Sequence, residues 1–86
     1  MKQKNSKYLE KYEADLITAR YHQYTRQLPL SVLQEFNRIY EEESGQALNT
    51  NFGCGQCILN LVKHCASLYF TEFPQQVPED LRDRKI

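Results

Sequence analysis

CGQCILNLVKHCASLYF, residues 54 to 70, decides the fold class. Rotating each residue by about 100° places Cys54, Cys57, Ile58, Leu61, Val62, Cys65, Leu68 and Tyr69 within an arc of about 140°. Gln56, Asn60, Lys63 and Ser67 fall on the opposite side. The spacing predicts an amphipathic helix over 54–72, stopped by Pro74, with all three cysteines on its apolar face. Leu59 and Phe70 lie off the main stripe and point to a second contact surface. A helix of this length and polarity is the natural centre of a small all-α core.

Upstream, LPLSVLQEF carries the clearest local signal. Pro29 disfavours helix at Leu28, and Ser31 with Gln34 reads as a capping box. The sequence therefore predicts a helix over 32–44, with Leu33, Phe36, Ile39 and Tyr40 as its apolar stripe. Glu35, Arg38, Glu41 and Glu42 form its wet face, and Gly45 supplies a left-handed stop. QALNTNFG is the expected connection, with Thr50 or Asn51 as the next cap. Earlier still, Leu9, Tyr12, Leu16 and Ala19 recur at helical spacing, while Ile17, Tyr21, Tyr24 and Leu28 form a second series rotated around the same helix. One helix over 6–27 is expected, with Lys11 and Asp15 paired on its polar side. The first six residues read as loose, and 73–86 as a polar, Pro-containing tail with one short turn near Pro78. The fold expectation is a single domain, a three-helix bundle with flexible ends.

Composition limits the function classes. The chain has 86 residues and a formal charge of zero, from 11 basic and 11 acidic side chains, so no global field draws it to nucleic acid or membrane. Residues 1 to 30 hold six Lys/Arg against three Asp/Glu, which places any electrostatic preference in the first third. No apolar run is long enough to span a bilayer, and the charged opening lacks the core of a signal peptide. A cytoplasmic address is expected, and an odd number of cysteines fits a reducing compartment better than a disulfide framework.

The CxxC of Cys54 and Cys57 admits three readings. Zinc requires four ligands at about 2.0 to 2.3 Å, yet in a continuous helix Cys65 stands about 12 Å along the axis from Cys57, and His64 about 10 Å. A metal would thus need two chains sharing Cys54 and Cys57. Redox chemistry has a physical basis, because a thiol at a helix N-terminus has its thiolate favoured. It lacks the strand-helix-strand context of the familiar dithiol enzymes. A phosphatase loop fails on spacing, since Asn60 stands where an arginine is required. The favoured reading is that the cysteines are small core hydrophobes and that no metal or cofactor is bound.

No paired carboxylates, Ser/His/Asp set or phosphate loop can be assembled, so an enzyme is not expected. ARYHQYTRQ, residues 19 to 27, interleaves Arg20 and Arg26 with Tyr21 and Tyr24, a mixture on which single-stranded nucleic acid can stack. Tyrosines at helical spacing more often pack. The favoured function is a protein-protein interaction or assembly module that binds a protein partner or itself, with a homo-oligomer expected, through Ile17, Tyr21, Tyr24 and Leu28. A nucleic-acid adaptor using Arg20, Tyr21, Tyr24 and Arg26 is the alternative, and a dimeric metal-binding protein comes third.

The run from Ile39 to Phe70 also resembles small uncharacterised proteins encoded by phages and mobile elements, in which a helix ends in Tyr and Gly and a CxxC opens an apolar helix. The matching points are Tyr40, Gly45, Cys54 and Cys57. The resemblance implies no activity and does not extend to the first helix.

Overall fold

The computed structural model describes residues 1–82 and is all-α, with no strand among the described residues. Its helices are α1 (Gln3–Glu10), α2 (Glu13–His22), α3 (Leu30–Ser44) and α4 (Gly55–Glu72), followed by a 3₁₀ turn at Pro74–Gln76 and a single-turn α5 (Glu79–Arg82). The central element is α4, which packs chiefly against α2 and α3. Leu61, Val62, Cys65 and Tyr69 of the expected stripe are buried, and Ala66 and Phe70 from outside it are buried with them, whereas Cys54, Cys57, Ile58 and Leu68 are half-buried. Phe70, off the main stripe, meets the ring of Tyr21 on α2 at 6.3 Å. Burial on two sides explains why the apolar arc of this helix is so wide.

The single helix expected over 6–27 is instead two. The chain tightens at Lys11 and Tyr12, whose amides bond three residues back to Tyr8 and Leu9, and α2 restarts from the carbonyl of Tyr12. Tyr8 and Tyr12 both set their rings edge-on to Phe36, at 6.1 and 5.5 Å. Edge-to-face packing of this kind contributes about 0.5 to 1.5 kcal/mol beyond burial, more than an exposed charge pair on a helix. The expected pairing of Lys11 with Asp15 gives way accordingly. Lys11 lies over the Tyr8 ring, and Asp15 accepts from Nε and Nη2 of Arg26 at 2.8 and 3.2 Å.

Helix α2 also ends earlier than expected. Gln23 takes a left-handed conformation (φ 56°) and the chain runs extended to Pro29. Helix α3 then begins at Leu30, with Pro29 as its cap residue and no side-chain cap bond. The Ser31–Gln34 capping box is therefore not formed, because the helix starts two residues too early for Ser31 to occupy the cap. At the other end Gly45 is left-handed (φ 74°), as its position implies.

Neither the opening residues nor the described part of the tail, 73–82, is as loose as its polarity implies. Asn5 is fully buried, and Val77 and Leu81 join the core at 8 % and 5 % exposure. Residues 83–86 of the expected tail lie outside the described residues.

Candidate functional site

The extended segment between α2 and α3 leaves an open groove of about 580 Å³ against the start of α4. Leu28 and Leu33, both buried, form its floor, and Phe52 and Ile58, both half-buried, form the facing wall. Thr25, Arg26 and Gln27 line its rim. Leu30, on the edge, is 54 % exposed, and Tyr24, immediately before the rim segment, is 60 % exposed. Among the described residues they are the large hydrophobic side chains that stand out into solvent, and together they mark a candidate contact surface.

The four residues expected to share a partner face are dispersed by the early end of α2. Ile17 and Tyr21 are half-buried and packed on the core, Leu28 is 6 % exposed, and Tyr24 alone projects. Leu28 still contributes to the groove, from beneath. The groove was not visible in the pattern because it needs residues from three separate segments. Leu30 is the signal that was available: an apolar residue directly after proline, outside the stripe assigned to α3.

The candidate nucleic-acid residues are likewise divided between a helix and an extended strand of chain. Arg20 lies over the ring of Tyr21 at 5.7 Å, and Arg26 is held in a fork by Asp15. That carboxylate raises the Arg26 guanidinium above its ordinary value, chiefly through the hydrogen bond.

At the mouth of α4, Cys54 is the N-cap, a role expected of Thr50 or Asn51. Its Sγ accepts the amide of Cys57 at 3.1 Å, and the two cysteines are joined by a disulfide with their Cα atoms 5.2 Å apart. Asn51 instead shapes the approach, accepting the Gly53 amide at 2.9 Å, while Thr50 donates to Asn37 at 2.7 Å. Both bridged cysteines are half-buried, so the reading of all three as core hydrophobes is corrected: it holds for Cys65 and fails for Cys54 and Cys57. Two neighbours in one turn are close enough to bond to each other, which apolar periodicity does not reveal. Burial pushes the Cys65 thiol well above its ordinary range. His64 is exposed, its ring 5.1 Å from that of Tyr40. Among the described residues no group of three or more His, Cys, Asp or Glu is gathered for a metal ion.

A second polar cluster ties α1 to α3. Asn5 Nδ2 donates to Glu42 and Glu43, each at 2.6 Å, and Arg38 donates to Asn5 Oδ1 at 3.0 Å. Arg38 also forks onto Glu35, with both contacts at 2.7 Å. The hydrogen bonds from Asn5 and then Lys2 hold the Glu42 carboxyl down at about 2. Every buried side-chain nitrogen and oxygen among the described residues has a partner, so this cluster is a saturated structural clasp rather than a vacant site.

No helix among the described residues is long and apolar enough to cross a membrane. No family model, curated protein or solved structure matches the chain.

Proposed function

We propose that this chain is a small, non-enzymatic assembly module that associates with a second copy of itself through the groove between Leu28, Leu33, Phe52 and Ile58. The observation that carries the reading is Leu30, 54 % exposed on the edge of an open apolar groove of about 580 Å³. A projecting side chain and a cavity on the same patch satisfy the requirement of a two-fold interface, in which each copy offers what the other receives. Tyr24, exposed and one residue before Thr25 of the groove's lining, adds an aromatic surface of the kind enriched at the centres of interfaces. The contact region thus moves from the helical face of Ile17, Tyr21, Tyr24 and Leu28 to the surface around Leu30.

The architecture belongs to the same reading: α1 and α2 act as one bent arm, so that with α3 and α4 the domain works as a three-helix bundle. Its proposed setting is the cytoplasm, and its proposed kinship is with the small phage and mobile-element proteins that share Tyr40, Gly45, Cys54 and Cys57. The nucleic-acid alternative has less support, since Arg26 is already engaged by Asp15.

The test is molar mass in solution against concentration, for the native chain and for Leu30→Asp. The substitution places a carboxylate in the first turn of α3, where the helix dipole favours it, so the fold is retained. Each Leu withdrawn from an interface forfeits about 1.5 to 3 kcal/mol, and two are lost per dimer. A dimer that dissociates at least about 100-fold more readily is expected. A native chain that is monomeric at high micromolar concentration overturns the proposal. A dimer unaffected by Leu30→Asp but, with the Cys54–Cys57 bridge reduced, dissolved by chelator supports instead a metal shared through the two thiolates.

A further inference from the structure

We infer that Cys54 and Cys57 form a redox-active pair that exchanges with low-molecular-weight disulfides of the glutathione class. Their bridge spans a sequence separation of 3 and lies across the first turn of α4. A loop so short constrains the unfolded chain least, and the same turn is already closed by the bond from the Cys57 amide to Cys54 Sγ. The bridge fastens no distant segment, so holding the fold together is not its main use.

Access and electrostatics point the same way. Cys54 stands between Gly53 and Gly55, both exposed, and a side chain added at Gly55 would meet nothing within 4 Å. The approach to the half-buried Cys54 is thus open over Gly55, while over Gly53 an added Cβ would meet Asn51 Oδ1 at 3.3 Å. In the bridged structure Cys54 Sγ sits at the positive end of an 18-residue helix and accepts the Cys57 amide, surroundings that favour a thiolate once the bond is reduced. The sequence from Gly45 to Val62 contains no Asp or Glu, so no carboxylate of that stretch opposes an anionic thiolate or the anionic glutathione. Cys65, by contrast, is fully buried and takes no part.

The exchange balances with glutathione disulfide as the oxidant. The Cys54 thiolate attacks one sulfur of glutathione disulfide, whose S–S bond breaks and releases one glutathione thiolate that takes a proton from water. Cys57 loses its proton to water and attacks Cys54 Sγ. The Cys54–Cys57 bond forms, the mixed disulfide breaks, and a second glutathione leaves and is protonated. Two electrons pass from the protein dithiol to the small disulfide, and the reverse sequence reduces the protein.

The experiment equilibrates the full chain in glutathione buffers from fully reduced to fully oxidised, quenches with acid, alkylates under denaturing conditions and weighs the intact protein. Alkylated thiols should pass from three to one in a single two-electron transition, Cys65 being the remaining thiol. A pair that stays bridged at every ratio, or never bridges, overturns the inference. Cys57→Ser should capture glutathione on Cys54 at least about tenfold faster than Cys54→Ser captures it on Cys57. Equal rates overturn the assignment of Cys54 as the attacking sulfur. The titration of the native chain needs neither variant, so it stands even if one fails to fold.

Discussion

The Cys65 thiol donates to the main-chain carbonyl of Phe36 at 3.3 Å, joining the middle of α4 to the middle of α3 where both are buried. A packed sulfur with a fixed partner is sensitive to size and to polarity at once. Cys65→Ser keeps a donor but shortens its reach and leaves a gap, so it should cost about 1 to 2 kcal/mol. Cys65→Val keeps apolarity, abandons the carbonyl and overfills the site, at about 1 to 3 kcal/mol. Urea denaturation of both variants measures these costs. Native alkylation should leave Cys65 untouched until the chain unfolds, because burial withholds the thiolate.

Asn5 should prove more important than its place in a polar opening suggests. Its amide holds Glu42 and Glu43 at 2.6 Å and its carbonyl oxygen receives Arg38 at 3.0 Å, all from a fully buried position. Asn5→Ala strands these partners, and the expected loss is about 2 to 4 kcal/mol, from several charge-assisted bonds broken together. Asn5→Asp should be worse, since it brings a third carboxylate against Glu42 and Glu43. Thermal melts should rank native above Asn5→Ala and Asn5→Ala above Asn5→Asp at neutral pH.

The same clasp sets the acid limb of stability. Glu42 is lowered to about 2 from an ordinary 4.5 by Asn5 and Lys2, and Glu35 is lowered chiefly by the hydrogen bond from Arg38. A carboxylate whose folded value lies below its unfolded one stabilises the fold above the unfolded value, and that contribution disappears as protons bind. Melting temperature should therefore hold steady above about pH 5 and fall between about pH 4.5 and 2. Glu42→Gln should be less stable at pH 7 and show a shallower fall across that window. An acid limb identical in the two proteins would remove Glu42 as its source.

How much of this was legible in the sequence depends on what kind of signal each feature leaves. Periodicity found α4 and most of α3, because long helices with one buried stripe repeat their pattern several times. Gly45 announced its left-handed turn by residue type. The bend at Lys11–Tyr12 carries no Gly or Pro; it comes from two tyrosines turning onto Phe36, which lies far along the chain. The burial of Asn5 depends on Arg38, Glu42 and Glu43 in the same way, and that of Val77 and Leu81 on a chain that folds back. The groove escaped notice because α2 stops at His22, and no local feature of Gln23, a left-handed residue that is not glycine, marks the stop. In each case the missing information is a contact between distant segments that overrides a local preference.

Two glycines with empty space around them should respond to alanine with opposite signs. At neither Gly45 nor Gly55 would an added Cβ meet anything within 4 Å, so collision plays no part in the outcome. Gly45 holds φ at 74°, a conformation that costs an L residue about 1 to 2 kcal/mol, and Gly45→Ala should destabilise by about 1 kcal/mol. Gly55 is the first residue of α4 and lies outside the left-handed region. There alanine restricts the unfolded chain without straining the folded one, and Gly55→Ala should stabilise by about 0.4 to 1 kcal/mol. Since Gly55 also lines the groove beside Phe52 and Ile58, its new methyl group should weaken self-association while the monomer grows more stable. Chemical denaturation and molar mass measured on the same variant separate the two effects. A Gly55→Ala chain that gains stability and still associates as tightly as the native one would place the contact surface away from this groove.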